Sequence, residues 1–106
     1  MPLTRREKIE VMLAEEPHDP FLRFSLAMEL DKEGRHEESL SEHERLTKDA
    51  APYVASYFMA AQQLVRLDRV EEARTILRNG IEEARKQGNS HAAGEMSEFL
   101  TSLGSV

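Results

Sequence analysis

Four histidines and several paired carboxylates are the side chains in this 106-residue sequence with the chemistry for catalysis or metal binding. His36 and His43 are seven residues apart and share a helix face. His91 and Glu95 have the i, i+4 spacing that can hold an ion or make a surface pair. A zinc site needs three or four ligands in defined geometry, and Glu42 and Glu44 flank His43 while pointing elsewhere. The spacing therefore predicts packing histidines and a His91–Glu95 surface pair, with no metal. The pairs Glu15–Glu16, Glu37–Glu38, Glu71–Glu72 and Glu82–Glu83 suit general acid–base work only if one carboxyl is buried. Adjacent helical acids point about 100° apart and face water. With no cysteine there is no thiol nucleophile, disulfide or Cys-ligated zinc. No phosphate loop, nucleophile motif or dinucleotide glycine pattern occurs. No catalytic residue and no cofactor is expected.

The elements that would carry these residues read as helices separated by short breaks. Thr4 and Glu7 form a capping box, and Ile9, Met12 and Leu13 line one face of a first helix. Asp19 caps and Pro20 opens a second helix, which Gly34 ends in a left-handed turn. A third is expected from about His36 to Lys48, before Ala51–Pro52 breaks it. The fourth runs from about Pro52 to Leu67, the fifth from Val70 to about Gln87, and the last from His91 to Leu103 with Ser90 as its cap. No segment alternates at period 2, so no strand is expected. The net charge is −6, concentrated in the first half, which argues against nucleic acid as a partner. No apolar run approaches the roughly 18 residues of a membrane span, and the basic N-terminus lacks a secretory apolar core. A cytoplasmic protein with no membrane partner is the expectation.

A shift of 34 residues lays the chain on itself. Phe24 meets Phe58, Leu26 meets Ala60, Ala27 meets Ala61 and Leu30 meets Leu64. Arg35 meets Arg69, Glu37–Glu38 meet Glu71–Glu72, and Ser39 meets Ala73. Two helices per 34 residues is a solenoid period. Small residues at Ala27, Ala61, Ser39 and Ala73 let paired helices approach, and Leu30 and Leu64 fill the seam. Such a pair cannot bury its apolar face alone, so neighbours must stack.

These residues resemble the tetratricopeptide repeat (TPR) family. Arg23, Leu26, Ala27, Leu30, Gly34, Arg35, Glu37, Glu38 and Ser39 look like one copy of its motif. Tyr57, Ala60, Ala61, Leu64, Asp68, Arg69, Glu71, Glu72 and Ala73 look like a second and better one. The first copy has Arg23 where the family favours an aromatic and Ser39 where it favours Ala. Ile9, Met12 and Pro17 resemble the end of a preceding repeat. The resemblance implies an all-α solenoid of antiparallel helix pairs: a half-repeat helix at 4–16, repeats at 19–51 and 52–88, and a capping helix at 90–103. Arg85 stands at the second repeat's closing-proline position, so the fifth helix should run on to Gly88. Gly80, inside that helix, implies close approach of the capping helix.

By the same resemblance, the first helix of each repeat lines a groove that holds a partner segment. Carried over by position, the groove residues are Phe21, Phe24, Met28, Asp31 and Lys32, then Ala55, Phe58, Met59, Gln62, Val65 and Arg66. Phe24, Met28, Phe58 and Met59 make this face more apolar than a solvated surface needs. The expected partner-binding set is Phe21, Phe24, Met28, Phe58, Met59, Gln62, Val65 and Arg66. Some family members hold a partner's C-terminal carboxylate with Lys and Asn; Phe24, Met28, Phe58 and Gln62 stand in those places here, so that clamp is missing. Arg66 and Lys32 remain available in sequence for an acidic side chain at the groove's end. The implied function is binding of a protein or peptide segment, as an adaptor without turnover. The alternatives are burial of the groove by the last helix, self-association into a homo-oligomer, and, least favoured, a metal-binding protein or enzyme using His36, His43 or the His91–Glu95 pair.

Overall fold

The computed structural model describes residues 1–104 and contains six α-helices: α1 (Arg5–Glu15), α2 (Pro20–Lys32), α3 (His36–Thr47), α4 (Val54–Arg66), α5 (Val70–Lys86) and α6 (Ser90–Ser102). Helix entry is local chemistry. Thr4 Oγ1 accepts from Glu7 N at 3.1 Å, and Glu7 Oε1 accepts from Thr4 N at 2.9 Å, closing the capping box. Asp19 Oδ1 accepts from Leu22 N at 3.1 Å with Pro20 at the first helical position. At α6 the cap is Asn89, whose Oδ1 accepts from Ala92 N at 3.1 Å, and not the expected Ser90. The α4 boundary also differs from expectation: Pro52 and Tyr53 precede the helix, and Tyr53 is its extended N-cap.

Helices α3 and α5 lack a side-chain cap, as does α4. The first turns of α3 and α5 carry Glu37–Glu38 and Glu71–Glu72, which face the positive end of the helix dipole. The preceding arginines fold onto these acids. Arg35 bonds Glu38, and Arg69 bonds both Glu72 and, at 2.6 Å, Glu37 of the preceding pair. The turns into α3 and α5 repeat too. Gly34 has φ 81°, and 34 residues on Asp68 has φ 61°, the one non-glycine in the left-handed region among the described residues. Its short polar side chain tolerates that conformation.

Each helix packs chiefly on its neighbours in sequence, and α4 also touches α6, giving an elongated body of 50 × 30 × 19 Å. This is the all-α solenoid of antiparallel pairs. Ala27, Ala61, Ala73 and Ala84 are completely buried where helices cross, and Leu30, Leu46, Leu64 and Leu77 fill the seams. Ser39, the departure from alanine, has a structural role: its hydroxyl donates to Ala27 O at 2.5 Å and accepts from Gln63 Nε2 at 3.0 Å. That chain of bonds joins α2, α3 and α4.

The last helix is held at both ends of its packing face. A Cβ built on Gly80 would meet Met96 Sδ of α6 at 2.7 Å and Tyr57 Cβ of α4 at 2.6 Å, so the expected close approach at Gly80 involves two helices. At the far end, Arg74 is buried and its Nη2 donates to Leu103 O at 2.8 Å, with Glu71 beside the same guanidinium. A cation on the last carbonyls of a helix satisfies acceptors that have no partner within the helix. Arg74→Met keeps the apolar stem and removes these bonds. Its expected cost is about 1–3 kcal/mol, because a part-buried hydrogen bond from a charged donor is lost. Hydrogen exchange should show faster exchange confined to the last turns of α6; unchanged protection there would contradict the role given to Arg74.

The register of α6 was not visible at the 34-residue spacing. At a shift of 36 from α4, Ala93, Met96, Ser97 and Leu100 fall on Tyr57, Ala60, Ala61 and Leu64, and Gly104 (φ 82°) falls on Asp68. The helix described above as a cap lies beside α4 in the way that α4 follows α2.

Candidate functional site

A cleft of about 200 Å³ opens where α2, α4 and α6 come together. Phe24 contributes from α2; Val54, Ala55, Phe58 and Met59 from α4; Asn89, Ala92, Glu95 and Met96 from α6 and its cap. The two phenylalanines are fixed by aromatic contacts. Phe24 sits edge-on to His43 with ring centres 5.4 Å apart and is tilted against Tyr53 at the same distance. Phe58 leans on Phe99 of α6 at 5.6 Å. Offset and edge-on pairs of this kind are the favoured aromatic geometries. The walls are therefore preformed, and exposed Ala55 leaves the mouth open.

Three of the eight residues expected in the groove, Phe24, Phe58 and Met59, are brought together here. The other five are placed elsewhere. Phe21 is 64% exposed at the start of α2. Met28 and Gln62 are half-buried but do not line the cleft. Val65 packs against the hydrophobic core, as Phe58 does in part, so burial by α6 and exposure to the cleft coexist on α4. Arg66 is not free for a partner carboxylate: its Nη2 donates to Asp31 Oδ2 at 2.9 Å, while His36 Nδ1 lies 2.7 Å from Asp31 Oδ1. Burial would raise the Asp31 carboxyl, but the bonds from His36 and Arg66 outweigh it and hold its pKa below the ordinary value. Lys32 reaches Glu29 at 3.4 Å. Sequence reasoning missed Val54, Asn89, Ala92, Glu95 and Met96. The 36-residue register of α6 was the signal that would have placed the last three.

Behind Phe24 lies a strongly perturbed histidine. His43 is completely buried, and its Nδ1 pairs with Ser56 Oγ at 3.1 Å. Its Nε2 and Gln63 Oε1 have no hydrogen-bond partner among the described residues. Burial away from water pushes its pKa down to about 4. His91 and Glu95 form the surface pair their spacing suggested, 3.3 Å apart. Among the described residues no group of three His, Asp or Glu side chains is placed to hold a metal ion. No helix among them is long and apolar enough to cross a membrane.

A stack of helix pairs with an open cleft between α2, α4 and α6 defines a helical repeat solenoid. A solved structure bears out the family. A tetratricopeptide repeat domain protein from Salinibacter ruber is 31% identical, with a TM-score of 0.78, over 83% of this chain and 89% of that one. The chain belongs to the tetratricopeptide repeat family. No protein-family model matches the sequence, and no curated protein does.

Proposed function

We propose that the chain is a protein-interaction module that receives a segment of a partner polypeptide in the cleft between α2, α4 and α6. The observation that carries this reading is the cleft itself: preformed, largely apolar, open to water, and built from helices of successive pairs. A volume near 200 Å³ accommodates one side chain of leucine or phenylalanine size. Methionine on the wall lets the site adapt to different anchors. The proposed contact residues are Phe24, Phe58 and Met59, with Ala55 at the mouth. Binding, rather than turnover, is the proposed mode of action.

Ala55 provides the test, because it is exposed and its replacement leaves the core untouched. Peptides are selected from a displayed random nine-residue library against the full chain, then measured against wild type and Ala55→Trp. The bulky side chain should weaken the selected peptides by at least about tenfold, the scale of a lost anchor contact. Undiminished affinity would remove the cleft from the account.

The second reading is self-association. Leu3, Val11 and Met12 are 48%, 55% and 47% exposed around α1. Light scattering over a wide concentration range separates the two, since cleft binding alone leaves a 12.1 kDa monomer.

A further inference from the structure

We infer that the segment received by the cleft is cationic as well as apolar: an aliphatic or aromatic anchor side chain with a lysine or arginine beside it. This rests on the reading of the cleft as a peptide site and specifies its partner by charge.

The charges around the cleft are unevenly neutralised. Both permanent cations of α2 and the one of α4 already have carboxylates. Arg23 Nη1 meets Asp49 at 2.7 Å, Lys32 meets Glu29 at 3.4 Å, and Arg66 meets Asp31 at 2.9 Å. The third wall is different. Helix α6 contains Glu95 and Glu98 and no lysine or arginine. Glu95 lines the cleft, and its partner is the imidazole of His91, 87% exposed and 3.3 Å away. Glu98, one turn further along the same face, is exposed and makes no ion pair among the described residues. An apolar slot with the Glu95 carboxylate on one rim, Glu98 one turn beyond it, and no unspent cation on the facing helices favours a ligand of opposite sign. Such complementarity selects partners and speeds their encounter more than it adds raw affinity. A net charge of −6 acts in the same direction and disfavours acidic segments.

The experiment uses the same random nine-residue library against the full chain, together with the double variant Glu95→Gln/Glu98→Gln. Both positions are exposed on α6, so the fold is left alone; a circular dichroism melt confirms it. Peptides selected on wild type should be enriched in Lys or Arg next to an apolar residue. They should lose about three- to tenfold affinity on the double variant and weaken similarly between 50 and 500 mM salt. A second variant, Glu95→Lys/Glu98→Lys, should enrich acidic peptides instead. Peptides that require the Ala55 mouth but carry neutral or acidic residues, or ignore the glutamine variant, would overturn the cationic assignment and leave the cleft reading standing. A library that yields no peptide, or only peptides indifferent to Ala55→Trp, would overturn both.

Discussion

Alanine at position 80 should destabilise the fold by about 1–3 kcal/mol, the usual cost of overpacking a closed interior. Helix propensity alone predicts the opposite, a gain of about 1 kcal/mol over glycine. Geometry decides between them. The new Cβ would sit 2.6 Å from Tyr57 Cβ and 2.7 Å from Met96 Sδ. Met96 can move its sulfur, but a Cβ is fixed to its backbone, and Tyr57 is further tethered by its hydroxyl bond to Thr47 O at 3.2 Å. Relief therefore requires α5 to move off α4. Gly94 is the internal control. A Cβ there meets nothing within 4 Å, so Gly94→Ala should show the propensity gain, up to about 1 kcal/mol of stabilisation. Urea unfolding of both variants at one pH checks the pair. Equal and favourable effects at the two sites would show that α4, α5 and α6 do not meet at Gly80.

Acid should destabilise the protein well before its carboxylates protonate. His43 is buried neutral, with its pKa pushed from 6.5 down to about 4. Between those values the unfolded chain holds a proton that the folded chain does not, so stability rises with pH across this window. The contribution is intact above pH 6.5 and is lost progressively down to about pH 4, amounting to about 3 kcal/mol. Asp31, whose pKa is lowered in the fold, adds a loss of the same sign at still lower pH, below the ordinary carboxylate value. His43→Phe separates the two. It keeps an aromatic ring against Phe24 and removes the orphan Nε2, at the cost of the Ser56 bond. Denaturation midpoints from pH 7.5 to 4 should slope for the wild type and flatten for the variant above pH 4. A variant with the wild-type slope would mean that another group carries the acid sensitivity.

Much of this architecture was legible because its determinants are local or periodic. Thr4 and Glu7 announce α1, Asp19 and Pro20 announce α2, and the 34-residue recurrence of Leu30 and Leu64 announces the paired helices. The third wall of the cleft was not legible, because α5 is not stopped at Arg85 and α6 therefore starts 36 residues after α4. That two-residue offset hid the equivalence of Met96 with Ala60, and with it Ala92 and Glu95 as cleft residues. Arg66 shows a different limit. Its position suggested a free cation, and only the tertiary fold brings Asp31, 35 residues away, onto its guanidinium. Ser39 was read only as a small residue standing where the family favours Ala, yet its hydroxyl is used twice, by Ala27 and by Gln63 of another helix. Side-chain bonds between helices carry no periodic signature, so a pattern of apolar spacing cannot reveal them.

The central claim is that a partner segment lies in the cleft of α2, α4 and α6. Amide chemical-shift mapping of the nitrogen-15-labelled chain, titrated with a peptide selected against it, tests that claim most directly. Saturable shifts are expected around Phe24, Ala55, Phe58, Met59, Ala92 and Glu95, with α3 and the outer face of α5 unmoved. Shifts concentrated on α1, or on the α3–α5 side of the solenoid, would contradict it.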